Sequence, residues 1–295
     1  MRLSECAAIA GYEVIRDAAF LTPGLLSEPA PEMLVFAESA QVIPKILRTA
    51  EAACVIAPPD LAPKLGRVPG LAVAANPRIA FWRLHNHLAC ETEFYGPNFP
   101  NRIHPEARIH PRATVAGRNV SIGAGAVVEA HAVISERCFI GADVVIRSGA
   151  VLGSAGFQTA RDQDRMIELV HAGGIEIGDA THIFANAVIA PAIFAQRTTI
   201  GPHSRVGNLA FVSHNVHTGP RCFIGHGSVI NGNVRLGTGV WVGPGAVIAN
   251  SLSIGDHARI SLGAAVGRSV AAGQHVTGSL AVEHRKMLRH LASLD

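Results

Sequence analysis

Residues 122–157 read IGAGAV VEAHAV ISERCF IGADVV IRSGAV LGSAGF when they are divided into sixes. Each hexad begins with an aliphatic residue, and most have a small residue at the fifth position. The pattern returns at Ile177 and Ile183, slips once across APAIFAQRTT, and runs from Ile200 to Val266, where only Thr218 breaks the aliphatic rule. A period of six is neither helical nor the simple alternation of a strand.

Three hexads make one triangular coil, with the first and fifth residues of each hexad pointing inward. This pattern is typical of a left-handed parallel β-helix, in which each coil buries its apolar residues against its neighbours only. A generic β-sandwich is the alternative, but twelve successive hexads from Ile200 to Val266 disfavour it. We therefore predict a mainly β fold with a left-handed β-helix over residues 101–276.

The flanking segments lack the six-residue period. Residues 39–52 predict a helix, residues 54–57 and 71–74 predict short strands, and Asn76 followed by Pro77 predicts the start of a second helix. Residues 1–100 are therefore predicted to form an α/β domain. The charged insertion over 158–174 cannot fit within a coil and is predicted to loop outward, and residues 277–295 predict a C-terminal helix with one basic face.

Composition excludes several classes of protein. A net charge of +3 with 16% charged residues provides no basic stripe for nucleic acid. The five cysteines lack metal-site or disulfide spacing, which predicts a reducing, cytoplasmic location. No apolar segment is long enough to cross a membrane, so a soluble protein without a membrane span is expected.

Fifteen histidines raise the question of a metal site. Residues 18 apart stack vertically in such a solenoid, which places Gly232 above His214 and pairs His257 with His275 if the register holds. Two imidazoles fall short of the ligand set that zinc needs, so we predict no metal site.

His214 is the third residue of its hexad, VSHNVH, and is predicted to face outward at a corner. A neutral imidazole there could accept a proton from an attacking amine or hydroxyl during acyl transfer, with a nearby backbone N–H as oxyanion donor. The pattern alone is explained more simply by an ordinary surface histidine that has no catalytic role.

The motifs SGAVLGSAGF, GGIEIGD and above all VGNLAFVSHNVHTG resemble the UDP-3-O-acylglucosamine N-acyltransferase family of lipid A and lipopolysaccharide biosynthesis. The resemblance covers residues from about 30 to the end and implies a nucleotide-binding-like N-terminal domain and a homotrimer. It also implies transfer of a hydroxyacyl chain from acyl carrier protein to a sugar amine. The catalytic histidine of the family falls on His214.

Several family positions are altered, so the chain is interpreted as a divergent member. An acid that assists the histidine in the family becomes Gly207, and a second family histidine becomes Ser251. The sugar-site segment IDRG becomes IAPA over residues 189–192. In the N-terminal domain Phe36 is retained, while the asparagine and tyrosine of the family become Ser39 and Val42.

The candidate catalytic residue is thus His214. The candidate substrate-binding residues are Asn215, Asn208, His217, His226, His171, Phe36, Ser39 and Ser251. Among them are polar residues that could replace the missing substrate contacts. Each of these polar residues is equally well explained as an ordinary residue at a corner of the solenoid. His171 occupies the place of a family glutamine, where it either contacts substrate or simply ends the loop.

The predicted function is N-acyl transfer to a UDP-linked amino sugar, without a tightly bound cofactor. The acyl donor would be the phosphopantetheine arm of acyl carrier protein, whose acidic surface suits the basic C-terminal helix, or an acyl-CoA. The alternatives are a nucleotide-sugar N-acetyltransferase that uses acetyl- or short-acyl-CoA for O-antigen or glycoconjugate synthesis, and a non-catalytic solenoid.

Overall fold

The computed structural model describes residues 1–27, 29–278, 285, 286, 289, 292 and 293. The C-terminal helix predicted over 277–295, with its basic face, lies largely outside the described residues. Among the residues described, none of the helices is long and apolar enough to cross a membrane.

The N-terminal part is a five-stranded sheet packed with helices. Its strands lie in the order β1-β5-β4-β3-β2, in which β1 is antiparallel to β5 and the other neighbours are parallel. The strands are β1 (Glu13–Arg16), β2 (Thr22–Pro23), β3 (Met33–Phe36), β4 (Ala52–Ala57) and β5 (Gly70–Val73). The helices are α1 (Leu3–Ala10), α2 (Ile43–Arg48) and α3 (Pro77–Cys90), with short 3-10 turns at Ala40–Val42 and Ala62–Leu65.

Of the two helices predicted in the N-terminal part, one begins where it was predicted and the other is shorter than predicted. Helix α3 begins as predicted, because the Asn76 side chain accepts a hydrogen bond of 3.2 Å from the backbone N–H of Ile79. The helix predicted over 39–52 is too long, since α2 starts only at Ile43. Pro44 has no N–H and its ring would clash with the preceding turn, so it is tolerated only in the first turn of a helix.

The remainder of the chain winds into a solenoid whose short parallel strands form three sheets. The first sheet contains β6 (Arg102–Ile103), β9 (Val120–Ile122), β12 (Cys138–Ile140), β17 (Gly174–Ile177), β20 (Arg197–Ile200), β23 (His217–Thr218), β26 (Arg235–Leu236) and β29 (Ser253–Ile254). The second contains β7 (Arg108–Ile109), β10 (Val127–Val128), β13 (Val145–Ile146), β18 (His182–Ile183), β21 (Arg205–Val206), β24 (Phe223–Ile224), β27 (Trp241–Val242), β30 (Arg259–Ile260) and β32 (His275–Val276). The third contains β8 (Thr114–Val115), β11 (Val133–Ile134), β14 (Val151–Leu152), β19 (Val188–Ile189), β22 (Phe211–Val212), β25 (Val229–Ile230), β28 (Val247–Ile248) and β31 (Ala265–Val266).

The hexad pattern explains the core of this solenoid. The aliphatic residues that begin each hexad are buried in one continuous cluster together with the small residues at the fifth positions. Thr218, the exception to the aliphatic rule, is also buried, and its hydroxyl accepts a hydrogen bond of 2.9 Å from the backbone N–H of Gly201. A polar residue is tolerated inside because that hydrogen bond satisfies its oxygen.

Two insertions leave the solenoid at the same corner, where the chain turns from the third sheet back to the first. We call this the third corner. Residues 153–173 form the larger insertion and carry an antiparallel hairpin, β15 (Thr159–Asp162) and β16 (Arg165–Glu168). Residues 190–196 form the smaller one, which accounts for the slip in the hexad pattern. Both pack into one apolar cluster with α1 and α3, so the N-terminal part covers this corner.

The last coil departs from the predicted register. Arg259 pairs with His275, and Ile254 bridges to Val270, so both spacings are 16 residues. The predicted stacking of His257 on His275 is therefore wrong, because the hexad that begins at Val266 is two residues short. His275 instead lies beside Arg259, and its Nε2 is 3.0 Å from the hydroxyl of Ser261.

Candidate active site at the third corner

His214 lies at the third corner, as the hexad pattern predicts, but it does not face solvent. Only 5% of its surface is exposed. The prediction of an outward-facing imidazole is wrong because the 153–173 insertion folds back over the corner, and Gln158 from this insertion contacts the ring. On the coil above, Gly232 has no side chain, and the imidazole occupies the space that a Cβ would fill.

The hydrogen bonds of Asn215 and His214 define which ring nitrogen carries the proton. The backbone N–H of Ile193 donates to the Oδ1 of Asn215 over 3.0 Å, which identifies this atom as the carboxamide oxygen. The Nδ1 of His214 lies 3.3 Å from the same oxygen. Because an amide oxygen can only accept, Nδ1 carries the proton and Nε2 presents a lone pair. That lone pair accepts from the side-chain amide of Gln158 over 2.9 Å.

The backbone at Asn215 suits the corner. Its φ of 57° is left-handed, a conformation that asparagine tolerates better than most residues. The backbone N–H of Asn215 donates to the hydroxyl of Thr198 over 2.9 Å. These contacts fix the side chain that orients His214.

A second imidazole lies beside the first. The ring centroid of His171 is 5.7 Å from that of His214, and the two rings meet edge to face. The Nδ1 of His171 lies 3.2 Å from the carbonyl oxygen of Leu169 and therefore carries the proton. Burial, with a smaller contribution from nearby His214, lowers the pKa of His171 to about 4. His171 is thus a neutral imidazole at neutral pH.

Helix α3 holds the segment that leads from β16 to His171. The side chain of Asn86 donates to the carbonyl of Glu168 over 2.8 Å and accepts from the N–H of Val170 over 3.0 Å. His85 is fully buried, with its Nε2 2.7 Å from the carbonyl oxygen of Val170 and its Nδ1 2.5 Å from the hydroxyl of Tyr95. Burial lowers the pKa of His85 to about 4, despite the opposing hydrogen bond to Val170.

Acidification is expected to destabilise this part of the molecule. An unfolded histidine binds its proton near pH 6.5, whereas folded His85 and His171 bind theirs only near pH 4. Between these values the unfolded state binds more protons, so the free energy of unfolding falls as the pH falls, by about 1.4 kcal/mol per pH unit for each histidine. Urea unfolding between pH 6.5 and 5 measures this slope.

A single variant assigns part of the slope to a buried histidine. His85→Gln removes a group whose pKa is lowered by burial, so it should reduce the slope by about one proton. A slope that is the same in His85→Gln and the unaltered protein would contradict the assignment.

The other candidate residues lie elsewhere. Asn208 and His226 stack vertically as predicted, with the N–H of Asn208 3.1 Å from the Nδ1 of His226, but at the corner between the second and third sheets. Gly207 lies at that corner too, and a Cβ there would be 2.7 Å from the backbone nitrogen of His226. Within one chain, strand β22 separates this group from His214.

The remaining candidates lie on a strand, on another coil or in the N-terminal part. His217 lies on β23 in the first sheet, and Ser251 lies at the third corner two coils above His214. Phe36 and Ser39 belong to the N-terminal part, where the guanidinium of Arg78 lies 5.8 Å from the centroid of the Phe36 ring. The structure therefore brings together three of the predicted residues, His214, Asn215 and His171.

Sequence reasoning missed the role of two residues. Gln158 lies within the 153–173 insertion, and nothing in the hexad pattern indicates where an inserted loop will fold. The 18-residue spacing placed Gly232 directly above His214, but it did not indicate that the imidazole would occupy the space of a side chain at 232. Among the residues described, no group of three histidine, cysteine or carboxylate side chains is arranged to hold a metal ion.

Comparison with known proteins gives a partial match. No protein-family model matches the chain. It is 40% identical over 76 residues to UDP-3-O-acylglucosamine N-acyltransferase of Maricaulis maris (strain MCS10), a match that covers 26% of this chain and 22% of that protein. The enzyme of the same name from Caulobacter vibrioides (strain NA1000 / CB15N) is 38% identical over 77 residues, with the same coverage. The chain thus matches about a fifth of the length of these relatives, and over that region the family resemblance is confirmed.

A solved structure extends the comparison to the fold. The UDP-N-acetylglucosamine acyltransferase of Francisella novicida superposes with a TM-score of 0.51 at 20% identity, covering 64% of this chain and 73% of that one. The prediction of a mainly β fold with a left-handed β-helix is confirmed.

Proposed function

We propose that this chain is an acyltransferase that moves an acyl group from a thioester to the amine of a nucleotide-linked amino sugar, with His214 as general base. The observation that carries the proposal is the hydrogen bonding of His214. Asn215 holds the proton on Nδ1, so Nε2 presents its lone pair in a protected corner. This is the protonation state that a base requires before it accepts a proton from a nucleophile.

The contact with Gln158 suggests where the nucleophile binds. The amide nitrogen of Gln158 lies 2.9 Å from Nε2 of His214, a distance suited to proton transfer from an amine. We infer that the sugar amine takes this position when the Gln158 side chain rotates away. The amine would then attack the thioester carbonyl while Nε2 accepts its proton, and a backbone N–H would stabilise the oxyanion.

The substrate class rests on the relatives and on the resemblance of the motifs. The matching curated relatives are named for acyl transfer to UDP-3-O-acylglucosamine. That name supports a UDP-linked amino sugar as acceptor, and the resemblance of the motifs implies a place in lipid A synthesis. The donor would be a hydroxyacyl group on acyl carrier protein, with an acyl-CoA as the alternative.

A homotrimer is part of the same proposal. The outward-facing residues of the third sheet form an apolar column that is partly exposed in the single chain. Its members are Val133, Val151, Val188, Phe211, Val229 and Val247. A flat apolar face of this kind supports association through the third sheet.

The function is tested by incubating the purified protein with a UDP-linked amino sugar and one of two donors. We expect an amide product, seen by mass spectrometry, with 3-hydroxyacyl-carrier protein. Product with acetyl-CoA alone would favour the N-acetyltransferase. If neither donor yields amide with any UDP-amino sugar, the enzymatic proposal fails and the non-catalytic solenoid is favoured.

A further inference from the structure

His171 has an unused hydrogen-bonding atom. Its Nε2 is buried and has no hydrogen-bond partner among the residues that the structure describes. Its Nδ1 proton is directed to the carbonyl of Leu169, so Nε2 can only accept. A buried acceptor without a donor is costly, and such an atom beside a reacting centre points to a missing ligand.

The surroundings of His171 indicate a narrow site beside the base. A Cβ on Gly156 would come within 2.8 Å of the Nε2 of His171, so a side chain at 156 would obstruct this atom. Gln158, two residues on, reaches the Nε2 of His214. The 156–158 segment therefore runs past the Nε2 atoms of both imidazoles.

We propose that His171 is a substrate-binding residue that accepts a hydrogen bond from the second N–H of the acceptor amine, while His214 accepts the first. The inference rests on the proposed function and deepens it, because it concerns which acceptor the same site selects. A neutral amine has two N–H groups and can bridge two lone pairs, and its own lone pair then points away from both rings. A hydroxyl has one O–H and can satisfy only one of the two imidazoles.

The transfer step is consistent with this arrangement. The amine nitrogen forms the new C–N bond at the thioester carbonyl carbon, and the C–S bond breaks. One amine proton passes to the Nε2 of His214 and from there to the leaving thiolate. The other N–H remains in the amide product, so His171 can hold it from the bound substrate to the product.

The position of His171 is fixed before substrate binds. The adjacent backbone is held by Asn86 through the N–H of Val170, and by His85 through the carbonyl of Val170. In the proposed complex the amine takes the place of the Gln158 side chain at the Nε2 of His214. An acceptor that is already oriented loses little conformational entropy on binding, which favours selectivity.

The test compares binding of two ligands that differ in one group. Calorimetry measures the Kd of a UDP-linked amino sugar and of the matching sugar with a hydroxyl in place of the amine. We expect His171→Phe, which keeps a ring but lacks the acceptor, to weaken amine binding about 10-fold, the scale of one hydrogen bond. Binding of the hydroxyl sugar should change less than twofold, and His171→Gln, which restores an acceptor, should recover most of the amine affinity.

A spectroscopic measurement separates this inference from the proposed function. In protein labelled with 15N-histidine, the Nε2 resonance of His171 should shift when the amino sugar is added, whether or not turnover occurs. Selective loss of amine affinity without any acyl transfer would support the role of His171 and refute the enzymatic proposal. Equal loss for both sugars, or an unshifted Nε2 resonance at saturating amino sugar, would overturn the role of His171 and leave acyl transfer standing.

Discussion

Replacing His214 by glutamine is expected to lower kcat for acyl transfer by about 10²- to 10⁴-fold, the range that a general base contributes. Glutamine is close in size and can still hydrogen-bond to Asn215 and Gln158, but it cannot accept a proton at neutral pH. KM for the amino sugar should change by only a few fold. Steady-state kinetics with the hydroxyacyl donor measure both parameters.

The control for this variant is His104→Gln, near the start of the solenoid. His104 is exposed, lies between β6 and β7 and is not a candidate site residue, so its replacement should leave kcat within about twofold if His214 alone is the base. A thermal melt verifies that both variants are folded. An unchanged kcat in folded His214→Gln would remove His214 from the mechanism.

Gly232→Ala is expected to impair the same site without changing any polar group. The new Cβ would overlap both Cε1 and Nε2 of His214, so the imidazole has to move. A displacement near 1 Å at a reacting group costs about 10²-fold in rate, and overpacking lowers the free energy of unfolding by about 1–3 kcal/mol. Kinetics and urea unfolding measure the two effects separately.

The matched control is Gly267→Ala, near the end of the solenoid. Among the described residues, apart from Gly267 and its two chain neighbours, no heavy atom lies within 4 Å of the position that the new methyl group would take. This variant should keep both activity and stability. In the double variant, His214→Gln with Gly232→Ala, the loss of rate should not exceed that of His214→Gln alone, because both changes disable one group. Full activity in Gly232→Ala would show that the ring position is not important for the reaction.

Much of the solenoid could be predicted because its physical rule is local. Each coil buries aliphatic residues only against the coils next to it, so the six-residue period specifies inward positions, and the 18-residue spacing specifies which residues stack. The placement of Gly232 above His214 follows from that spacing. The rule failed at the last coil, where a hexad lacks two residues and the pairing of Arg259 with His275 replaces the expected register.

The candidate site was only partly predictable. The sequence indicated His214, Asn215 and His171 separately, through a motif and a resemblance. It could not indicate that His171 lies against His214, since this depends on how a long insertion folds back and how helix α3 supports it. The exposure of His214 was mispredicted for the same reason.

The sequence by itself determined the β-helix, its inward-facing residues and the corner at which His214 lies, because a repeating pattern of burial leaves few other folds. Only the tertiary structure determined which groups contact His214 and which of its ring nitrogens carries the proton. The oxygen of Asn215 assigns the proton on His214, Gln158 contacts the remaining lone pair, and His171 contributes a second acceptor. Gln158 and His171 belong to the 153–173 insertion, and their placement against the corner depends on packing that no local pattern encodes.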